Sequence, residues 1–154
     1  MVANFALGLA ANSATIVPDG DALGSAFSPP VLGYDGNTRQ EQRRVARDNI
    51  LGCYAGMEPE RIFDPEAPDC RGASDNENAF WLSREYGATP RRCSYVGDDE
   101  HMAYLGRLRA EARKLVLKHW CAVEDVADAL EARKTLGPDE LDELRKKWFP
   151  EIEP

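Results

Sequence analysis

The sequence predicts an α+β fold that is mainly α-helical, with a short N-terminal β-hairpin followed by a helical bundle. Three observations carry that expectation. A β-branched run, Ser13-Ala14-Thr15-Ile16-Val17, is stopped by the turn signal Pro18-Asp19-Gly20. Two capping boxes, Thr38-Arg39-Gln40-Glu41 and Ser74-Asp75-Asn76-Glu77, mark helix starts. The second half of the chain repeats apolar residues at three- and four-residue steps.

Taken in order, Met1 to Ala11 is apolar on most sides, which predicts a buried helix ending near Gly8. The segment lacks the positive n-region of a signal peptide and is read as part of the fold. After the turn at Gly20, Ala22 to Phe27 should pair back as a second strand, before Pro29-Pro30 and Gly33 to Asn37 form an irregular loop. Strand is expected only in the first 35 or so residues. Helices are then expected over 38–56, 75–86, 98–119 and 121–134, followed by a short last helix from Pro138 that carries Leu141, Leu144 and Trp148. Asp64 to Asp69 is a loop by its prolines. Ala79, Phe80 and Leu82 should face inward from the helix that Ser74 caps and that stops at Gly87. The long helix should bury Tyr104, Leu108, Ala112, Leu115, Val116 and His119, and the next one Val123, Val126, Ala127 and Leu130.

A chain of 154 residues fits a single domain, with 1–36 supplying the helix end and hairpin and 37–154 the helical part. Nineteen Lys and Arg against 27 Asp and Glu give a formal charge of -8, the wrong sign for nucleic acid or anionic lipid. No stretch approaches the ~18 apolar residues of a membrane span. Cys53, Cys70, Cys93 and Cys121 have no CxxC or Cys/His ligand spacing, so they read as separate thiols of a cytoplasmic protein, the alternative being a disulfide pair that nothing in the spacing favours.

The chemistry-bearing motifs are few. HExxH, GxSxG, the P-loop and GxGxxG are all missing from these residues. His101, after Asp98-Asp99-Glu100, reads as a solvated helix-start residue, and His119 as a partly buried packing residue five turns further on, too far to share an ion with it. Arg39, Arg43, Arg44 and Arg47 repeat at helical spacing and read as a solvated face. Asp75 follows the predicted cap at Ser74, where free amides and the helix dipole suit a carboxylate.

Four blocks in this order resemble the peptidase domain of the FtsH-type ATP-dependent zinc proteases and their small stand-alone relatives. They are Thr15 to Gly24; Ala55-Gly56-Met57-Glu58-Pro59-Glu60, with Pro59 where the family's AGxxAE has alanine; Gly72-Ala73-Ser74-Asp75 with Ala79; and the closing residues Trp120, Val123 to Ala127, Ala129-Leu130 and Thr135-Leu136. The resemblance implies a zinc-metallopeptidase-like fold, a peptide or protein substrate, and Asp75 as third zinc ligand. In the family, HExxH precedes an apolar stretch like Val2 to Leu7, so its histidines and glutamate base would fall just before Met1. The chain is therefore expected to be an inactive metallopeptidase-like domain, holding no zinc although the intact family does. The alternative is a non-catalytic helical protein-interaction domain.

Overall fold

A computed structural model describes residues 1–9, 11–20, 24–27, 38–66, 73–85 and 99–151. Expectations that fall elsewhere lie outside the described residues: Ala22 and Leu23, the loop from Pro29 to Asn37, Ala67 to Asp69, the stop at Gly87, and Cys70 and Cys93. The element order is α1 (Val2–Ala6), β1 (Ser13–Thr15), β2 (Ser25–Phe27), α2 (Arg39–Phe63), α3 (Ala73–Glu85), α4 (Asp99–Lys118), α5 (Trp120–Arg133), β3 (Thr135–Leu136) and α6 (Pro138–Trp148). The fold is α+β and mainly helical, and the chain divides into two compact units, Met1–Val31 with Lys118–Pro154, and Leu32–Leu117.

In the first unit, α1 ends where Gly8 adopts a positive φ of 70°. β1 and β2 pair antiparallel with Ala14 opposite Ala26, and Gly24 lets the returning chain come close. A Cβ on Gly24 would lie 2.5 Å from the Thr15 carbonyl oxygen. Strand is not confined to the first 35 residues, because β3 pairs on the other side of β1 with Leu136 opposite Ala14, giving the order β2-β1-β3. A two-residue strand carries no periodicity, so only its partner defines it. The turn into β3 holds Lys134 at φ 68°, a conformation that disfavours a side chain. Its carbonyl oxygen accepts hydrogen bonds from Ile16 N at 2.9 Å and Thr15 Oγ1 at 3.2 Å. The core comprises Val2, Phe5, Ala122, Val126, Leu136, Leu141 and Phe149. Ala127, expected inside, is exposed, since Ala122 and Val126 define the stripe that α5 buries. Glu140 Oε2 accepts from the Gly137 amide at 2.8 Å and starts α6.

In the second unit, α2 begins at the expected capping box. Glu41 N donates to Thr38 Oγ1 at 3.3 Å, while Thr38 N donates to Glu41 Oε2 at 2.6 Å. The helix does not stop at 56 but continues through Pro59 to Phe63. A proline inside a helix removes one hydrogen bond and costs about 3 kcal/mol. The apolar burial of Tyr54, Ala55 and Met57 just before it opposes that cost. Ser74 is not the cap of α3: the helix already includes Ala73, which puts Ser74 inside the first turn. The buried seam uses Ala46, Ile50, Leu51, Tyr54 and Ala55 of α2, Ala79 of α3, and Leu105, Leu108, Ala112 and Val116 of α4. Tyr104 and Leu115 are only half-buried, Leu105 taking the central place.

Leu136 is fully buried with its partners all inside the first unit. Leu136→Ala should lower unfolding free energy by about 2–5 kcal/mol, the range for core leucine truncations. Urea denaturation checks it, and a loss below about 1 kcal/mol would mean that β3 is not a core element.

Candidate functional site

The second unit concentrates most of the unusual chemistry. Glu58 is 2% exposed, and three arginines surround its carboxylate. Arg109 Nε donates to Oε1 at 3.3 Å and Arg113 Nη1 to Oε2 at 3.0 Å, while Arg61 Nη1 lies 3.8 Å from Oε1. Arg61 follows at i+3 on α2; Arg109 and Arg113 sit one turn apart on α4, so one helical face delivers both. A buried carboxylate tolerates its desolvation only with such partners. Nothing in the one-dimensional pattern of Ala55 to Glu60 identifies Glu58 as the buried member. The two acids flanking Pro59 look alike until the helix is seen to continue.

Beside this cluster lies an open cleft of about 550 Å³ lined by Tyr54, Asn76, Glu77, Phe80, Trp81, Met102, Leu105, Gly106 and Arg109. Trp81 and Met102 are 51% and 54% exposed, a large apolar area left to solvent. Tyr54 is mostly buried, and burial pushes its hydroxyl pKa up. Sequence spacing does place Trp81 opposite the buried Ala79 and Ser83. Phe80-Trp81 is the part of the cleft that the sequence writes locally; Met102, on α4, joins it only in the fold.

Asp75 is half-buried in the first turn of α3, and a Cβ built on Gly56 would lie 3.4 Å from its Oδ2. The second and third blocks of the resemblance thus meet in space. Burial pushes the Asp75 carboxyl above the ordinary range, which opposes the expectation that helix-start amides hold it ionised. Cys53 lies on the same stretch of α2, and burial, with Asp75 nearby, pushes its thiol up to about 11. Such a thiol is a poor nucleophile and a poor metal ligand at neutral pH. Among the described residues no group of three or more His, Cys, Asp and Glu converges on one point. Asp75 with a protonated thiol does not fit zinc, which takes three or four imidazole, thiolate or carboxylate ligands.

The histidines are placed differently from each other. His101 is not solvated: it is 3% exposed, stacks on Phe80 with centroids 5.3 Å apart, and has Nε2 2.9 Å from Ser83 Oγ. Ser83 Oγ donates to the Phe80 carbonyl at 2.7 Å, so the imidazole N–H donates to Ser83. That polarity makes the pair a structural bond and leaves no base to activate the hydroxyl. The acidic run before His101 suggested exposure, but the α4 face that carries Leu105 and Leu108 also carries residue 101. His119 is partly buried, its ring 4.9 Å from Phe149. Of the arginine face, Arg47 pairs with Asp48 at 3.2 Å and with Glu111 of α4, so it ties α2 to α4.

No family model matches the chain, and no curated protein matches it in sequence. Among the described residues no helix is long and apolar enough to cross a membrane.

A raised native pKa means that charged Asp75 costs stability. The cost is fully present at neutral pH and disappears as pH falls through the raised value to the ordinary 3.8. Asp75→Asn should therefore raise Tm at pH 7, and the gain should shrink to nothing below about pH 4. Thermal melts across that range check it; a loss of Tm at pH 7 would mean that the carboxylate stabilises the fold.

Proposed function

We propose that the chain is a zinc-metallopeptidase-like domain of FtsH type that holds a peptide or protein substrate without cutting it. The observation that carries this reading is the cleft of the second unit, where Trp81 and Met102 stand half-exposed around a floor of Tyr54, Phe80 and Leu105. Apolar clefts of ~300–1,000 Å³ with a few polar groups at the wall are the usual form of a ligand site. The peptidase part rests on the four blocks of resemblance, and the approach of Asp75 to Gly56 supports it. The non-catalytic part of the reading rests on residues 1–154 containing no HExxH and on Asp75 meeting no imidazole among the described residues. The charge of -8 argues against nucleic acid as the bound polymer, and acidity with unpaired cysteine spacing suits the cytoplasm.

Binding of a fluorescein-labelled, reduced and carboxymethylated α-lactalbumin, followed by anisotropy, tests this function. The expected result is saturable binding, weakened about fivefold or more by Trp81→Ala, with no fragments on a gel after overnight incubation. The figure corresponds to about 1 kcal/mol for one truncated aromatic anchor. No saturable binding by the wild-type chain, or binding indifferent to Trp81, would overturn it, and cleavage of the probe would overturn its non-catalytic part.

A further inference from the structure

We infer that the cleft of the second unit recognises the free C-terminus of a polypeptide ending in a large apolar residue, with Arg109 taking the terminal carboxylate. The inference rests on the polypeptide-binding reading and specifies its ligand. Arg109 lines the cleft and is partly exposed, and Glu58 engages it through Nε alone. Its two terminal nitrogens, with four N–H donors, meet no described residue. An arginine fixed at one edge and open at the other presents the planar fork that a carboxylate fits bidentately. Arg113, one turn along α4, shares the Glu58 carboxylate with Arg109, so these two guanidinium groups divide one acid between them.

The rest of the cleft distinguishes a chain end from other anions. Phe80, Trp81, Met102 and Leu105 give an apolar wall that inorganic phosphate would not use, and one that suits a Leu- or Phe-sized side chain beside the carboxylate. Asn76 and Glu77 on α3 line the same space. Their amide and carboxylate oxygens accept hydrogen bonds from peptide N–H groups, which a fatty acid lacks. Glu77 also places a negative charge where it disfavours a second acidic group further along the ligand. A terminal carboxylate on Arg109, an apolar last side chain over Trp81, and preceding amides toward α3 use each kind of group in the cleft once.

Two decapeptides of one sequence ending in Phe, one a free acid and one a C-terminal amide, carry fluorescein at the N-terminus and are titrated by anisotropy in low salt. The acid is expected to bind about tenfold more tightly, the effect of one charge-assisted hydrogen-bonded pair. Arg109→Gln should bring the acid down to the amide, while Trp81→Ala should weaken both alike. Far-UV circular dichroism establishes that the variants fold, and the wild-type acid-to-amide ratio needs no variant. Equal binding of acid and amide by the wild-type chain overturns the carboxylate assignment; if Trp81→Ala still weakens both, polypeptide binding itself stands. Laurate displacing the acid peptide at equal concentration would assign the cleft to a free apolar acid and overturn recognition of a chain end. Failure of both peptides to bind would remove both readings.

Discussion

The buried carboxylate of Glu58 is the constraint on which the second unit depends. It sits at the point where α2 passes through Pro59, a residue that alone would end the helix. Burying an unpaired carboxylate costs several kcal/mol, so the helix can carry Glu58 inward only if α4 presents Arg109 and Arg113 at the right height. That requirement constrains the register of α4 on α2, and a second pair, Arg47 of α2 with Glu111 of α4, ties the same two helices. Once α4 is so placed, Leu105 and Met102 fall opposite Phe80 and Trp81 of α3, and the cleft follows. Because the arginines are about 40–50% exposed at their side chains, they recover much of their hydration while the carboxylate does not. The cluster is thus anchored on its acidic member and open on its basic side.

The first unit is held by a different device. Its three strands are too short to be stable by pairing alone, and Leu136, paired opposite Ala14 on the sheet, attaches them to Val2, Phe5, Ala122 and Val126. Lys134 adopts a strained φ, and the two hydrogen bonds its carbonyl accepts from the β1 side offset the cost.

Local signals in the sequence located most helices, and long-range ones escaped it. Thr38 with Glu41 named a helix start because a capping box is written within four residues. The hairpin was equally legible, since Pro18-Asp19-Gly20 interrupts a β-branched run. Pro59 misled because propensity speaks for an isolated helix, whereas the tertiary burial of Tyr54, Ala55 and Met57 and the pairing of Glu58 with α4 decide this one. His101 misled because three acidic neighbours describe a charge run, but only the helical phase of Leu105 and Leu108 describes the face. Ser74 and Ala127 were missed by one position or one face, the usual error where stripes rather than contacts are read. At the site, Asp75 was singled out from a local cap, while Glu58 depends on Arg109 and Arg113, more than 50 residues away, and the aromatic cleft joins three separate helices, so no window contains either.

Glu58 holds Arg109 in place on the cleft wall, and a double-mutant cycle in stability tests this coupling most directly. Urea denaturation of the wild-type chain, Glu58→Gln, Arg109→Gln and the double variant yields the coupling between the two side chains. The expected coupling is favourable and toward the lower end of about 0.5–3 kcal/mol, because Arg109 is partly exposed and screened. Additivity within about 0.3 kcal/mol would contradict the account, since Glu58 would then neither position Arg109 nor owe its burial to it.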